Sequence, residues 1–414
     1  MDHATPARFL AAYEPTAPAP PTSLFAGPRA AEAARLSRQL PVPHANLRIS
    51  VIIPAKNEVA NLPGTLAALA AQTTLAVQPL PPGFFEVIVL ANNCLDDTAA
   101  VARAQARQFS QLVLHVAVLR LPGERAHVGR ARRLLMDEAC ARLERVGQPA
   151  GIIASTDADT RVAPTWLAAI QAEIANGADA VGGRILTAAE ELGQAGLPEL
   201  QRLQSRDAAY RLLCARLEDL LDPTAADPWP RHHQHFGASL ALTAQSYRRV
   251  GGLPDVRFLE DEALCQQLQR HDLALRHSPH VQVLTSARRD GRVEVGLSWQ
   301  LREWLHLSQQ QREPRVDNPV QLARRWQLRR QLRACWANAP GAETDALLAR
   351  LGLPVAVVLA QLGRRATFGA LWEWAWAHSP SLAVDAAPLS EALLVLPRLI
   401  RTNAAAPWRA DEAA

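Results

Sequence analysis

Residues 150–167 read AGIIASTDADTRVAPTWL: a short apolar run, two aspartates one residue apart, then a Pro-Thr-Trp-Leu segment that suits the first turn of a helix. A buried strand that exits into polar residues and then a helix is one unit of an alternating α/β fold, in which ligands collect at the carboxyl ends of the strands. Side chains alternate along an extended chain, so a β-geometry would point Asp157 and Asp159 the same way. Two carboxylates so placed can hold Mg²⁺ or Mn²⁺, whose remaining oxygen ligands come from water and a substrate diphosphate. An isolated Asp-x-Asp is more often a solvated loop, so the neighbouring segments decide.

Working outward, LRISVIIPA (47–55) reads as a buried strand, and Asn61 caps a helix with Leu62, Leu66 and Leu69 on one face. FEVIVLANN (85–93) is a second strand, after which Asp96 and Asp97 open a helix to about Phe109; VLHVAVLRL (113–121) is a third. RARRLLMDEACARLERV (130–146) predicts the helix that precedes the strand GIIAST. Beyond the aspartates, Trp166, Leu167, Ile170 and Ile174 share one side of a helix. This alternation predicts an α/β fold with a mostly parallel central sheet and flanking helices.

From Gly182 the pattern is mixed, with a charged helical region over 196–221, the loop DPWPRHHQH, and the segments FGASLALTAQSYRRVGG and FLEDEALCQQLQRH. Three regions are expected: a Pro/Ala-rich N-terminal extension over 1–47, carrying a short helix near Ala30–Leu40; the sheet domain over 48–297; and a helical C-terminal appendage over 298–414.

The 414 residues are 49% hydrophobic and 20% charged, which suits a globular chain with one large core or two. A net charge of +4 favours phosphate-bearing substrates, but no basic stripe with interleaved aromatics points to nucleic acid. The five cysteines are widely spaced, with no CxxC pair and no signal-peptide pattern ahead of them, so a reducing cytosol is expected. No stretch reaches the roughly 18 apolar residues of a spanning helix. The expectation is a cytoplasmic protein, at most peripheral to a membrane.

Taken in order, these segments resemble the family 2 glycosyltransferases, which have the Rossmann-like GT-A fold and use nucleoside-diphosphate sugars. The resemblance runs over roughly residues 48–290. ISVIIPAKNE is similar to the family's opening strand and implies that Pro54 and Glu58 line the nucleotide pocket. VIVLANNCLDDTAAVA is similar to the second strand and turn, but Ala91 or Asn92 stands where the family usually has a base-binding Asp; Asn can both donate and accept, and so can read a uracil or guanine edge. GERAHVGRARRLLMD resembles the Gly-x-x-x-Ala-Arg-Asn segment, with Arg132 at its arginine and Arg133 in place of the asparagine. A guanidinium is a bidentate phosphate partner, and Arg130 and Arg133 are weaker candidates for the same role. TDADT then stands as the metal motif, with Asp159 and Asp157 as ligands of Mg²⁺ or Mn²⁺ and Asp157 also near the donor.

GASLALTAQSYRRVGGLPDVRFLEDEAL resembles the acceptor-side segment that ends in the family's Glu-Asp pair, here Glu260-Asp261. A sugar hydroxyl is a poor nucleophile, and a carboxylate within reach must take its proton; by position that base is Asp261, with Glu260 beside it. Adjacent carboxylates also raise one another's pKa, although acidic helix starts are common for dipole reasons alone. Arg288 and Arg289, after the strand HVQVLTS, are expected to grip the leaving diphosphate or an anionic acceptor. His232, His233 and His235 can line the acceptor pocket or supply a metal ligand.

The resemblance implies a hexosyltransferase-like enzyme moving one sugar from a nucleoside-diphosphate donor to an acceptor hydroxyl, metal dependent and inverting. Gln300-Leu-Arg-Glu-Trp304 departs from the Gln-x-x-Arg-Trp of processive members, so a non-processive enzyme is expected. Two other readings remain open: a nucleotidyltransferase of the same fold, although PAKNEVANLPG lacks the Gly-rich loop such enzymes use, and a non-catalytic nucleotide-sugar-binding or assembly protein. Trp372, Trp374 and Trp376 suit a packed core, a homodimer contact or a membrane surface. Neither sugar nor acceptor is written in these motifs.

Overall fold

The computed structural model describes residues 28–187, 198–286, 296–337 and 342–404. They fall into two compact units, one within Met1–Glu191, Gln234–Leu268 and Leu273–Gln300, the other within Leu192–His233, Gln269–Asp272 and Leu301–Ala414. The expected sheet domain therefore differs from the first unit chiefly over 192–233, which groups with the second.

The first unit is built as α1 (Pro28–Ser37), β1 (Ile49–Ala55), α2 (Leu62–Ala70), β2 (Phe85–Asn92), α3 (Thr98–Gln108), β3 (Leu114–Leu119), α4 (Val128–Arg145), β4 (Ile152–Ser155), β5 (Thr160–Val162), α5 (Trp166–Ala175) and β6 (Ala180–Thr187). After α6 (Pro198–Leu221) come β7 (Leu240–Thr243), α7 (Ala244–Arg249), α8 (Glu260–Arg270) and β8 (Leu275–Thr285). The eight strands form one sheet in the order β3-β2-β1-β4-β7-β6-β8-β5. β3, β2, β1 and β4 are parallel neighbours and so are β6 and β8, while β7 and β5 run against theirs. The mostly parallel sheet with helices on its faces is the expected class.

Every residue of β1 is buried, as a central parallel strand requires. Alternation then divides it: Ile49, Val51 and Ile53 pack with Leu62, Leu66 and Leu69 of α2 and Trp166 and Ile170 of α5, while Ile52 turns to Leu134, Leu135 and Cys140 of α4. Full burial of one such leucine contributes about 2 kcal/mol.

Residues 28–47 were expected as an extension, but they hold part of this core. Leu36 is fully buried against the α4 side, Glu32 accepts from the Arg130 guanidinium, and Gln39 Oε1 accepts from the Val118 amide at 2.9 Å. The short helix expected near Ala30–Leu40 is present as α1, with Glu32 and Leu36 facing inward and Arg35 exposed, so the Pro/Ala-rich composition concealed its burial and not the helix itself.

The second unit is helical. α6 packs with α10 (Pro319–Ala337) and α14 (Leu389–Ala404) through Leu217, Leu221, Trp326 and Leu396, beside an antiparallel pair β9 (Arg315–Asp317) and β10 (Ala386–Pro388). A second cluster joins α10 to α11 (Ala342–Leu351), α12 (Val355–Arg364) and α13 (Phe368–His378) through Leu332, Leu348, Val358 and Leu371. α9 (Leu297–Gln309) carries Trp304, buried within the helix. Trp372 and Trp374 lean on the second cluster, and Arg325 stacks over the Trp376 ring at 4.4 Å. Among the described residues no helix is long and apolar enough to cross a membrane.

Candidate active site

The carboxyl ends of β1, β2 and β4 and the amino end of β7 open on the same edge of the sheet, because β7 runs opposite to its neighbour β4. β4 ends at Ser155, and Asp157-Ala158-Asp159 forms a turn in which the Thr160 amide bonds back to the Asp157 carbonyl at 3.2 Å. The strand alternation expected for the two aspartates therefore does not apply. Within the turn Ala158 is buried, its carbonyl accepting from Thr65 Oγ1 at 2.9 Å, and both aspartates are half-buried.

Arg132, on the first turns of α4, is the hub. Its Nη2 donates to Asp157 Oδ1 at 2.6 Å, and its Nη1 donates to Glu260 Oε1 at the start of α8. One guanidinium thus joins the Asp-x-Asp turn to the acidic cluster far along the chain. Two glycines allow it. A Cβ on Gly237 would lie within 2.4–2.6 Å of the Arg132 guanidinium, and one on Gly129 would come 2.7 Å from the Val256 carbonyl. Leu259, just before Glu260, has φ of +55°, a left-handed conformation that costs a residue with a side chain about 1 kcal/mol.

Asp261 is held from two sides: its Oδ2 accepts from the Gly237 amide at 2.8 Å and its Oδ1 from the Glu262 amide at 2.8 Å. Ser155 Oγ donates to the Gly237 carbonyl at 2.9 Å, tying this loop to the end of β4. Glu262 Oε2 lies 2.8 Å from His235 Nε2.

The electrostatics are unusual for an ion pair. Burial pushes the Glu260 carboxyl up to about 7; the Arg132 charge pulls it down, and the Asp261 and Asp157 charges push it up again. Against burial, the carboxylates of Glu260, Asp157 and Asp261 hold the Arg132 guanidinium above its ordinary value. Because Arg132 cannot give up its proton, Glu260 is the member whose charge responds to pH. Among the described residues, the buried Arg132 Nε and the buried Thr156 hydroxyl have no hydrogen-bond partner. Each orphan costs roughly 1–3 kcal/mol until a ligand or water fills it, so the site is polar and incompletely satisfied.

The other expected residues fall as follows. Pro54 lies in β1, and Glu58, in the turn after it, is buried and accepts from Asn61 Nδ2 at 2.9 Å. Asn92 closes β2 and is buried, whereas Asn93 pairs with the Leu121 backbone through both ends of its amide. Arg130 pairs with Glu32 and Asp255, and Arg133 donates to the Leu253 carbonyl, so both serve packing. Arg288 and Arg289 lie outside the described residues. His232 and His233 group with the second unit, His235 with the first. Sequence reasoning missed Gly237, Ser155 and Thr65; the Gly of FGAS before a strand was the one signal available.

Among the described residues no three His, Cys, Asp or Glu side chains group as a metal cage. The Asp157 and Asp159 carboxylates fit the smaller requirement of Mg²⁺ or Mn²⁺, which take one or two carboxylates and complete their shell with phosphate and water oxygens. A shallow cleft lined by Arg48, Ile49, Gly151 and Ile174 lies at the opposite, amino ends of β1 and β4 and brings no paired ionisable groups.

Residues 50–227 match the family model described as Glycosyl transferase family 2. No curated protein matches. Similar solved structures include the mannosyltransferase PcManGT from Pyrobaculum calidifontis in complex with GDP-Man and Mn²⁺, 19% identical over 84% of this chain and 91% of that one, TM-score 0.41. S. aureus TarS 1–349 in complex with UDP-GlcNAc is 13% identical over 80% of this chain and 90% of that one, TM-score 0.42. M. tuberculosis glucosyl-3-phosphoglycerate synthase is 18% identical over 69% and 88%, TM-score 0.37. These structural likenesses are loose.

Proposed function

We propose that the protein, whose residues 50–227 match the model of glycosyl transferase family 2, is a glycosyltransferase that moves a single sugar from a nucleoside-diphosphate donor to an acceptor hydroxyl with inversion. The observation that carries this reading is the shared Arg132 guanidinium, which brings Asp157 and Glu260 to one place with Asp261 beside them.

Asp261 acts as the base. It accepts the hydroxyl proton while the acceptor oxygen bonds to the anomeric carbon and the bond from that carbon to the diphosphate breaks, its electron pair leaving with the phosphate. Two amides aim this carboxylate, which limits the orientations it must lose in the transition state. Attack from the side opposite the leaving group gives the inverted anomer. Asp157 and Asp159 hold Mg²⁺ or Mn²⁺, which when bound neutralises the departing diphosphate. Arg132, already between two carboxylates, supplies a second positive charge and keeps Glu260 away from solvent. Pro54, Glu58 and Asn92, at the ends of adjacent strands, form the nucleotide end of the cleft; from the sequence alone, Arg288 and Arg289 are assigned to the leaving diphosphate or an anionic acceptor. Release after one transfer fits the departure from the processive motif at Gln300–Trp304. A cytoplasmic setting is supported by five cysteines that form no disulfide.

A thermal-shift series of UDP-, GDP- and dTDP-sugars with Mn²⁺ tests the donor class. One nucleotide should raise the melting point by mass action, and EDTA should abolish the rise. Pyrophosphate release from a sugar 1-phosphate and a nucleoside triphosphate would replace this reading with nucleotidyl transfer.

A further inference from the structure

We propose that Thr65 is a positioning residue for the Asp-x-Asp turn: its hydroxyl fixes the peptide between Ala158 and Asp159 and so sets the two carboxylates for one divalent cation, an inference that rests on Asp157 and Asp159 holding that cation. The three carbonyls of the turn each accept a hydrogen bond. Asp157 takes it from the Thr160 amide at 3.2 Å, Asp159 from the Ser286 amide at 3.3 Å, and Ala158 from Thr65 Oγ1 at 2.9 Å. The first two donors are backbone amides, which any residue would supply. The third is a side chain, and it holds the middle of the turn.

Thr65 stands out on its own helix. α2 buries Leu62, Leu66 and Leu69, and Thr65 lies on that same face, fully shielded from solvent. A helical threonine can turn its hydroxyl to the carbonyl four residues back, but that of Thr65 crosses to Ala158, 93 positions along the chain. A valine would fill the same space with no polar atom to satisfy, so what the hydroxyl adds is its bond to Ala158. The helix comes this near because residue 64 is glycine: a Cβ there would lie 3.0 Å from Arg161 Nε, just beyond the turn. Gln72, just past the end of α2, holds the far end of the same segment, its Nε2 donating to the Ala163 carbonyl at 2.8 Å and its Oε1 accepting from the Leu167 amide at 3.0 Å. Thr65 thus grips the segment at the carboxylates, and Gln72 grips it at the start of α5.

The peptide plane between Ala158 and Asp159 is rigid, so turning it re-aims the Asp159 carboxylate relative to that of Asp157. Without the hydroxyl the buried Ala158 carbonyl loses its donor, and the peptide turns toward water and carries Asp159 with it. Mg²⁺ demands near-ideal octahedral geometry with oxygens about 2.1 Å from the ion, so a carboxylate displaced by a fraction of an ångström binds it less well.

The test is a titration of Mn²⁺ alone into the full chain, followed by the electron paramagnetic resonance signal of the free ion. Thr65→Val, which keeps the shape and deletes the donor, should weaken Mn²⁺ binding about tenfold, and Thr65→Ser, which restores the hydroxyl, should stay within about twofold of the wild type. In the metal-free protein the Asp159 amide nitrogen resonance should move in Thr65→Val and keep its place in Thr65→Ser. Gln72→Leu is the structural control: it should lower the melting point and leave Mn²⁺ binding within about twofold. Binding unchanged in Thr65→Val, not recovered in Thr65→Ser, or weakened as much by Gln72→Leu overturns the inference. Should Thr65→Val not fold, Thr65→Ala decides in its place. Mn²⁺ uptake that is absent in the wild type or unchanged in Asp159→Asn would remove the metal assignment itself. The Asp159 resonance would still show whether Thr65 fixes the peptide, so the two failures are distinguishable.

Discussion

Arg142 and Arg132 lie on the same helix, are both buried and both face carboxylates, yet one pair is closed and the other divided. Arg142 gives Nε and Nη2 to the two oxygens of Glu86 at 2.8 and 2.6 Å and Nη1 to the Pro41 carbonyl at 2.7 Å, while Ser50 Oγ donates to Glu86 at 3.0 Å. Burial would raise the Glu86 carboxyl, but the hydrogen bonds and charges of Arg142 and His115 outweigh it and bring it down to about 2. Arg132 splits its guanidinium between two carboxylates and leaves Nε unpaired, and burial wins over attraction at Glu260, which rises to about 7. The difference teaches that counting ion pairs says little about a buried charge. What matters is whether one partner fills the guanidinium face in a bidentate way or two partners compete for it.

The two regions should respond oppositely to pH. Glu86, lowered in the fold, adds stability that is fully present above its unfolded value of about 4.5 and is lost as pH falls through about 2. Glu260, raised in the fold, adds stability present below about 4.5 and lost as pH rises through about 7. The Glu86 pair stabilises the fold at neutral pH and loses that contribution in acid; the Glu260 site carries a cost at neutral pH, where the chemistry is expected.

Substitutions can break or sharpen this contrast. The largest effect should come from Asp261→Asn: turnover falls about a thousandfold while the donor-induced melting shift persists, and a variant keeping a tenth of the wild-type rate would remove Asp261 as base. Next is Glu86→Gln, which should cost about 3 kcal/mol in urea unfolding at neutral pH and leave kcat unchanged. Its stability should also decline less between about pH 4.5 and 2 than that of the wild type. Lost turnover with intact stability would show that the closed pair is not the structural one. The smallest effect should be that of Arg132→Lys: kcat/KM for the donor drops about tenfold, since an ammonium cannot bridge two carboxylates, and stability changes by under about 1 kcal/mol because Glu260 can take up a proton. A stability loss as large as that of Glu86→Gln would erase the distinction between the regions.

Much of the first unit was legible because parallel strands must be apolar on both faces. β1, β2 and β4 stand out as continuous runs, and the helices after β1 and β5 as leucine and isoleucine stripes. The Asp-x-Asp turn was legible from its place after β4, though not its geometry, since the strand stops before Asp157. The helix α1 was legible but its burial was not, because alanine and proline give little periodic signal and its contacts are with α4, far along the chain. Gly237 and Thr65 were invisible for a related reason: their roles exist only once the segment before β7 lies beside the start of α8 and the turn after β4 lies beside α2.

The sequence by itself determined the alternation of strands and helices, the positions of the carboxylates and the family they resemble, because these depend on local periodicity and on short motifs. The tertiary structure alone decided which charges meet, how Arg132 is shared and which way the Glu260 carboxyl is pushed. Desolvation and Coulomb forces act through distance in space, and no local pattern encodes the approach of residues that the chain holds far apart.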